Sequence, residues 1–239
     1  MWLARAFPAF FAFGLLIAAC GKGSRSTPLT PDVSAPLATT ATQATCLLDP
    51  AVSSTGPRAR MDLRTRQVSI TRPDGSQMLI IPPEAPGTGY AYAGPAIFPD
   101  AAAVVVGALL QQDGGPLQDG LWKVGAGDAR QLLLPTDNGK TSYVSDPAVA
   151  PDGKRIAFTL VNVTRLDHGH KDRFEVWMVN ADGSYAQKVA DGRAPRWSND
   201  GAYLTIDTQT QAGPPLDQSV LDAESFAPVA GLRLSPCSS

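Results

Sequence analysis

The sequence is poor in the residues that most often bind metals or carry acid–base catalysis. Its 239 residues include two histidines and three cysteines. It contains no Gly-x-Ser-x-Gly nucleophile elbow, so the sequence offers no support for a hydrolase of that kind. The histidines, serines and acids also form no recognisable Ser-His-acid triad. We therefore predict neither an enzyme nor a cofactor.

An excess of charge of one sign is also lacking. Lys and Arg total 20, Asp and Glu total 22, and the formal net charge is −2. A nucleic-acid-binding protein needs a basic surface that displaces counterions from phosphates. We therefore exclude nucleic acid as a partner.

Long helical periodicity is missing beyond the N-terminus. Short apolar runs bounded by Gly, Pro, Asp and Asn recur along the chain, which has 22 glycines and 21 prolines. Such runs are typical of strands joined by turns. The sequence therefore predicts an all-β body.

The N-terminal stretch "MWLARAFPAFFAFGLLIAAC" has the pattern of an export signal. Its apolar run, from about Phe7 to Ile17, is shorter than the roughly 20 residues that a membrane-spanning helix needs. The small residues before Cys20 resemble the lipobox of bacterial lipoproteins. The resemblance implies cleavage of a signal peptide at 1–19 and a lipid on Cys20. The alternative is an ordinary secretory signal with a chance cysteine.

The residues that follow Cys20 predict a membrane tether. Gly21-Lys22, with no aspartate, resembles the sorting pattern of lipoproteins held in the outer membrane and facing the periplasm. The stretch 20–45 is rich in Ser, Thr, Pro and Ala, and it lacks the large apolar residues needed to bury surface. We predict a disordered tether that spans roughly 25–30 Å on average.

Cys46 and Cys237 stand at the two ends of the remaining body, which we assign to one domain at 46–239. An exported protein matures in an oxidising compartment, so we predict a disulfide between them. Ligation of a metal by two isolated cysteines is the less favoured alternative.

One hairpin pattern recurs three times: "GPAIFPDAAAVVVGAL" from Gly94, "DPAVAPDGKRIAFTL" from Asp146 and "APRWSNDGAYLTIDT" from Ala194. A second strand pattern follows each copy, as in "EVWMVNADGSYAQKV" from Glu175. Periods of about 40–50 residues with four short strands each are typical of propeller blades.

These hairpins resemble the TolB-type, WD-like propeller repeat built around W-S-P-D-G-x-x-I-x-F. Residues 150–158, "APDGKRIAF", match it well, and 196–201, "RWSNDG", match nearly as well, whereas the copy at 98–101 has lost its glycine. We predict a small β-propeller of about four blades, the first a partial copy from about Cys46 to Pro83. A closed ring and an open stack completed by a partner both fit the pattern.

The resemblance also implies two faces. The Asp-Gly turns occupy one side, and the longer, more varied loops occupy the other. Recognition residues are usually carried on variable loops. The predicted binding residues on that side are Tyr90, Tyr92, Tyr143, Asp167, His168 and His170.

The two histidines are flanked by carboxylates and are weak candidates for a metal site. The set is His168, His170, Asp167 and Asp172, whose side chains suit Zn²⁺, Cu²⁺ or Ni²⁺. His-x-His alone is a weak pattern, so we favour a solvated polar loop and predict no metal.

Arg58, Arg60, Arg64 and Arg66, with Asp62, lie on alternate residues and would share one face of a strand. We favour an edge strand protected by charge, and the alternative is a patch for acidic partners or lipid headgroups.

The predicted function is a non-enzymatic envelope lipoprotein whose propeller binds another envelope protein. The alternatives are a metal-dependent envelope enzyme and a glycan-binding protein, both using the loop that contains His168.

Overall fold

The computed structural model describes residues 45–54, 56–82, 89–110, 117–133, 141–208 and 217–237. At Thr141, Arg165 and His170 only the backbone is described. Cys20, the predicted signal peptide and the predicted tether lie outside the described residues. Among the described residues there is no helix long and apolar enough to span a membrane.

The described part of the chain is all-β, with fifteen strands and no helix. The strands are β1 (Arg58–Met61), β2 (Val68–Thr71), β3 (Gln77–Ile81), β4 (Tyr90–Ala91), β5 (Ala96–Ile97), β6 (Ala103–Leu110), β7 (Gln118–Gly125), β8 (Asp128–Leu133), β9 (Thr141–Val149), β10 (Arg155–Leu166), β11 (Gly169–Asn180), β12 (Gln187–Asp191), β13 (Arg193–Trp197), β14 (Tyr203–Thr208) and β15 (Asp217–Asp222).

These strands form four antiparallel sheets in which neighbours in sequence pair in space, except that β4 and β5 both pair with β6. Blade 1 contains β1 to β3, blade 2 contains β4 to β8, blade 3 contains β9 to β12, and blade 4 contains β13 to β15. Isolated bridges add Val52 beside Arg58 in blade 1 and Pro228 beside Leu221 in blade 4. Four small up-and-down sheets in succession are the architecture of a four-bladed β-propeller, as the repeat predicts.

β6 shows why the sequence packs this way. All eight of its residues are apolar or glycine, and the first six are buried, because the strand lies in the middle of a blade with a neighbouring blade on either side. Val104 and Val106 point into the core shared with blade 1. Ala103 and Val105 point into the core shared with blade 3. Alternation along one strand therefore fills two interfaces.

Three apolar cores join consecutive blades. The first lies between blades 1 and 2, with Ile70 and Trp122 fully buried. The second lies between blades 2 and 3 around Phe158. The third lies between blades 3 and 4, where the buried Trp197 indole donates a hydrogen bond of 3.0 Å to the carbonyl of Ala148.

The space between blade 4 and blade 1, here called the seam, is built differently. The fourth core cluster holds Leu47, Val220 and Leu234 and contains no described residue of β1, β2 or β3. The two blades are joined through the chain ends instead, and the seam has far less apolar contact than the three blade interfaces.

The chain ends form a clasp across blade 4, made of segments 46–48 and 235–237 beside 197–199. The N–H of Leu47 donates to Ser235, and the N–H of Cys237 donates back to Leu47. The N–H of Leu48 donates to the carbonyl of Trp197, at the end of β13. A disulfide joins Cys46 to Cys237, with their Cα atoms 4.9 Å apart.

The predicted arginine strand is only partly a strand. β1 ends at Met61, and Asp62 accepts hydrogen bonds from the N–H groups of Arg64 and Thr65, which closes a turn. This local capping competes with extension of the strand. Arg58 and Arg60 therefore share a face of β1, whereas Arg64 and Arg66 do not belong to it. β1 is also not an edge strand, because β2 pairs with it on one side and Val52 bridges to Arg58 on the other.

Candidate functional site

The structure places the Asp-Gly turns and the longer hairpin ends on opposite sides. The N–H of Ala181 donates to the carbonyl of Lys154, so the turns at 150–154 and 181–184 lie together. We call this side the turn face. The other ends of β10 and β11, where Leu166 pairs with Gly169, lie on the opposite side, here called the loop face.

Tyr92 and Tyr143 meet near the loop-face end of blades 2 and 3. Their rings pack edge to face, with centroids 6.4 Å apart. The Tyr92 hydroxyl donates a short hydrogen bond to the carboxylate of Asp119. Gly107 makes room for the Tyr92 ring, because a Cβ there would lie 2.9 Å from it. Sequence reasoning missed both Asp119 and Gly107, since neither lies in a recognisable motif.

The environment of this pair raises the pKa of both phenols above the ordinary value. Burial is the main cause for Tyr92, and the hydrogen bond and negative charge of Asp119 add to it. For Tyr143, burial again comes first, followed by the charges of Asp172 and Asp146. Tyr92 is half-buried and its hydroxyl is hydrogen-bonded to Asp119, whereas 37% of the surface of Tyr143 is exposed. Tyr90 lies in β4, opposite Leu109.

The β10–β11 hairpin extends beyond the rest of blade 3. The last pair between β9 and β10 is Thr141 with Val163, but β10 continues to Leu166. Asp167 and His168 form its exposed tip. Tyr143 pairs with Val161, five residues before the end of β10, so the tip lies about 17 Å farther along the strand. The structure thus separates the predicted binding residues into a tyrosine pair and a hairpin tip.

The metal candidates are spread along this hairpin. Asp172 pairs with Val163, several residues from the tip, and the side chain of His170 lies outside the described residues. In the described part of the chain, no group of three or more His, Cys, Asp or Glu side chains is placed to hold a metal ion.

A charged cluster supports the base of the hairpin. Glu175 accepts from the Trp177 indole at 3.1 Å and from Lys188 at 3.1 Å. Lys188 also contacts Asp191 at 2.7 Å, and this hydrogen bond is the main cause of the lowered pKa of Asp191. No sequence motif marks this cluster, because its members come from two different strands.

Exposed apolar side chains concentrate on the loop face. The structure describes six large exposed ones, and four of them lie at loop-face ends of strands. Leu63 (75% exposed) follows β1, and Leu166 (57%) ends β10. The four are Leu63, Leu117, Tyr143 and Leu166.

Two cavity regions lie near the propeller axis. A cavity of about 490 Å³ on the loop-face side is bordered by Pro95, Pro147 and Pro195, the equivalent prolines of the repeat. Two overlapping cavities of about 720 and 600 Å³ lie next to the clasp, and both are bordered by Asp49 and Cys237.

Comparisons with known proteins give no family. No protein-family model matches the chain, and no curated protein matches it. A solved structure of a puromycin-hydrolysing peptidase from Mycobacterium tuberculosis is similar with a TM-score of 0.38 and 11% identity, over 77% of this chain and 38% of the peptidase chain. An oligogalacturonate lyase from Vibrio parahaemolyticus is similar with a TM-score of 0.38 and 11% identity, over 74% of this chain and 63% of the lyase. The chain spans less than two thirds of either structure, and neither activity is transferred to it.

Proposed function

We propose that the chain is a non-enzymatic lipoprotein of the bacterial outer membrane whose propeller binds another envelope protein in the periplasm. The lipid anchor at Cys20, the outer-membrane location and the TolB-type repeat remain the proposals made from sequence. The observation that carries the binding role is the set of exposed apolar side chains on the loop face.

That set has the composition of a contact surface. Leu63 follows β1, Leu117 precedes β7 and Leu166 ends β10, so three different blades contribute. Tyr143 of β9 adds an exposed aromatic ring. Exposed apolar groups gathered on one side of a soluble domain are typical of interaction sites. Aromatic residues are enriched at the energetic centre of such sites.

The clasp lies on the side of the propeller opposite the proposed contact surface. Cys46 hydrogen-bonds with Asn199, beside the turn at 198–201, which belongs to the turn face. The clasp therefore does not cover the loop-face residues that are proposed to bind a partner.

The test is quantitative partner capture from crosslinked envelopes. We expect Leu166→Ser and Tyr143→Ala to reduce the recovered partner at least fivefold, because each removes exposed apolar surface from the loop face. The melting temperature should stay within a few degrees, since neither side chain lies in a blade core. The matched control is Tyr185→Ala, which removes a still more exposed ring (84%) from the turn face.

Cys20→Ala tests the anchor in the same strain and should release the protein from the membrane fraction. If the Leu166 and Tyr143 variants capture as much partner as the wild type, the loop-face contact is contradicted. Loss of capture by the Tyr185 variant alone would assign the contact to the turn face. A metal-dependent enzyme and a glycan-binding protein remain the alternatives, and no specific contact among the described residues favours either of them.

A further inference from the structure

The seam between blades 4 and 1 carries arginines where the other blade interfaces carry apolar side chains. In β1, Ala59 and Met61 pack into the core with blade 2. Alternation directs Arg58 and Arg60 to the opposite face of the strand, towards the seam. In β13, Trp197 packs into the core with blade 3, and its neighbour Arg196 is directed the other way. Three guanidinium groups therefore face the seam from both sides.

These arginines border two different cavities near the propeller axis. Arg58 and Arg196 both line the cavity of about 600 Å³. Arg60 and Arg196 both line the cavity of about 490 Å³ on the loop-face side. All three side chains are exposed, and within the described ranges none of their guanidinium groups forms an ion pair or hydrogen bond.

The acidic groups of the same cavities already have partners. The carboxylate of Asp49 accepts a hydrogen bond of 2.9 Å from the N–H of Ala51. Asp146 accepts one of 3.0 Å from the Ser145 hydroxyl. Each cavity lining contains two arginines and one aspartate, so each carries an excess of positive charge in a protein whose net charge is −2.

We propose that the seam is an anion-binding site in which Arg58 and Arg196, at the cavity of about 600 Å³ next to the clasp, hold a small ligand that bears two or more carboxylate or phosphate groups. Guanidinium groups bind both kinds of oxyanion through paired hydrogen bonds. The cavity volumes lie in the range of small-molecule sites. This site differs in position and chemistry from the apolar loop-face surface proposed to bind a protein.

The experiment is calorimetric titration of the full-length chain in neutral detergent with citrate and, separately, with pyrophosphate. The ionic strength is held constant with NaCl, because screening alone weakens charge interactions. We expect binding of at least one probe, weakened at least tenfold in Arg58→Gln and in Arg196→Gln. The control Arg64→Gln removes an exposed arginine that lies outside the cavities, and it should keep the wild-type affinity.

The two probes distinguish the ligand class. Binding of citrate alone assigns the site to carboxylates, binding of pyrophosphate alone assigns it to phosphates, and binding of both assigns it to oxyanions in general. The proposal is overturned if neither probe binds the wild type. It is also overturned if Arg64→Gln weakens binding as much as Arg58→Gln and Arg196→Gln do. Thermal unfolding without a probe gives a second readout. Arg196→Gln should melt no lower than the wild type, since it relieves repulsion between like charges, and a clear loss of stability would show that the arginine supports the fold instead.

Discussion

Tyr92 illustrates how a single residue changes role once its surroundings are known. An aromatic residue on a variable loop is a reasonable recognition residue. In the structure its ring fills the space left by Gly107, and its hydroxyl is held by Asp119. We therefore expect Tyr92 to contribute to stability more than to partner binding, and we expect Tyr143, which is more exposed, to contribute to binding.

The raised pKa of Tyr92 predicts a specific dependence of stability on pH. The unfolded chain loses the phenolic proton near the ordinary pKa of 10.0, whereas burial and Asp119 keep the folded phenol protonated to higher pH. Its contribution to stability is therefore fully present below pH 10 and is lost as pH rises through the folded pKa. Below pH 9, Tyr92→Phe should cost about 1–2 kcal/mol, through loss of the hydrogen bond.

The difference between the wild type and Tyr92→Phe should narrow by about 1 kcal/mol at pH 11, measured by urea unfolding across pH 8–11. Tyr143→Phe is the matched control, because Tyr143 is more exposed and should give a smaller change. A difference that stays constant with pH would show that the phenol titrates alike in both states.

The turns of the turn face form a contact series between blades. The glycine of the blade 3 turn, Gly153, has a φ of +69°, and a Cβ there would lie 3.4 Å from Pro99 in the blade 2 turn. Gly201 of blade 4 has the same relation to Pro151 of blade 3. Each of these turn glycines thus packs against the proline of the preceding turn, and the same contact recurs between consecutive blades.

The blade 2 turn has Ala101 where the other turns have glycine, and it nevertheless adopts a φ of 55°. The left-handed region costs an L-residue roughly 1–2 kcal/mol, more than glycine loses through its greater freedom in the unfolded chain. Ala101→Gly should therefore raise the free energy of unfolding by about 0.5–1 kcal/mol. Gly153→Ala should lower it by about 1 kcal/mol or more.

Both changes are measured as shifts in the urea midpoint. Gly94→Ala is the control, because Gly94 has no positive φ and a Cβ added there would meet no atom within 4 Å. If Ala101→Gly proves destabilising, the alanine methyl group must make a packing contribution that outweighs its backbone strain.

The propeller is asymmetric around its axis. Three interfaces between blades are apolar, whereas the seam is lined by arginines and spanned by the clasp. The bond between Cys46 and Cys237 joins positions 191 residues apart. Because the seam has little apolar contact of its own, the covalent link carries an unusually large share of its closure.

Removal of the disulfide should therefore destabilise the protein strongly. The chain-entropy model gives roughly 5 kcal/mol, as an upper value, for closing a loop of this length. We expect Cys46→Ser with Cys237→Ser to lower the free energy of unfolding by about 2–5 kcal/mol in urea titrations. In this double variant, the backbone amide hydrogens of the clasp, such as those of Leu47 and residue 237, should exchange with solvent earlier than those of β6.

Peptide mapping under non-reducing conditions checks the pairing itself, and two free thiols in protein purified without reductant would contradict it. A double variant that keeps the stability of the wild type would show that the hydrogen bonds of the clasp are sufficient to close the seam.

The all-β class and the repeat followed from local sequence, and the two faces followed from the resemblance to a propeller repeat. Pro-Asp-Gly turns and alternating apolar residues depend on backbone geometry and burial within a dozen residues. The sequence of residues 147–158 is therefore sufficient to predict them. The number of blades followed from the period, and the pairing of Cys46 with Cys237 followed from the prediction that the chain is exported and from their being the two cysteines of the predicted domain.

Tertiary structure decided what depends on residues far apart in sequence. Tyr92 is a half-buried hydrogen-bond donor only because Asp119 lies within reach of its hydroxyl. The candidate binding residues are separated because β10 extends beyond β9. Arg58 and Arg60 each border a cavity that Arg196, more than 130 residues later, also borders. Charge and burial at such places are properties of neighbours that folding brings together, and no local pattern encodes them.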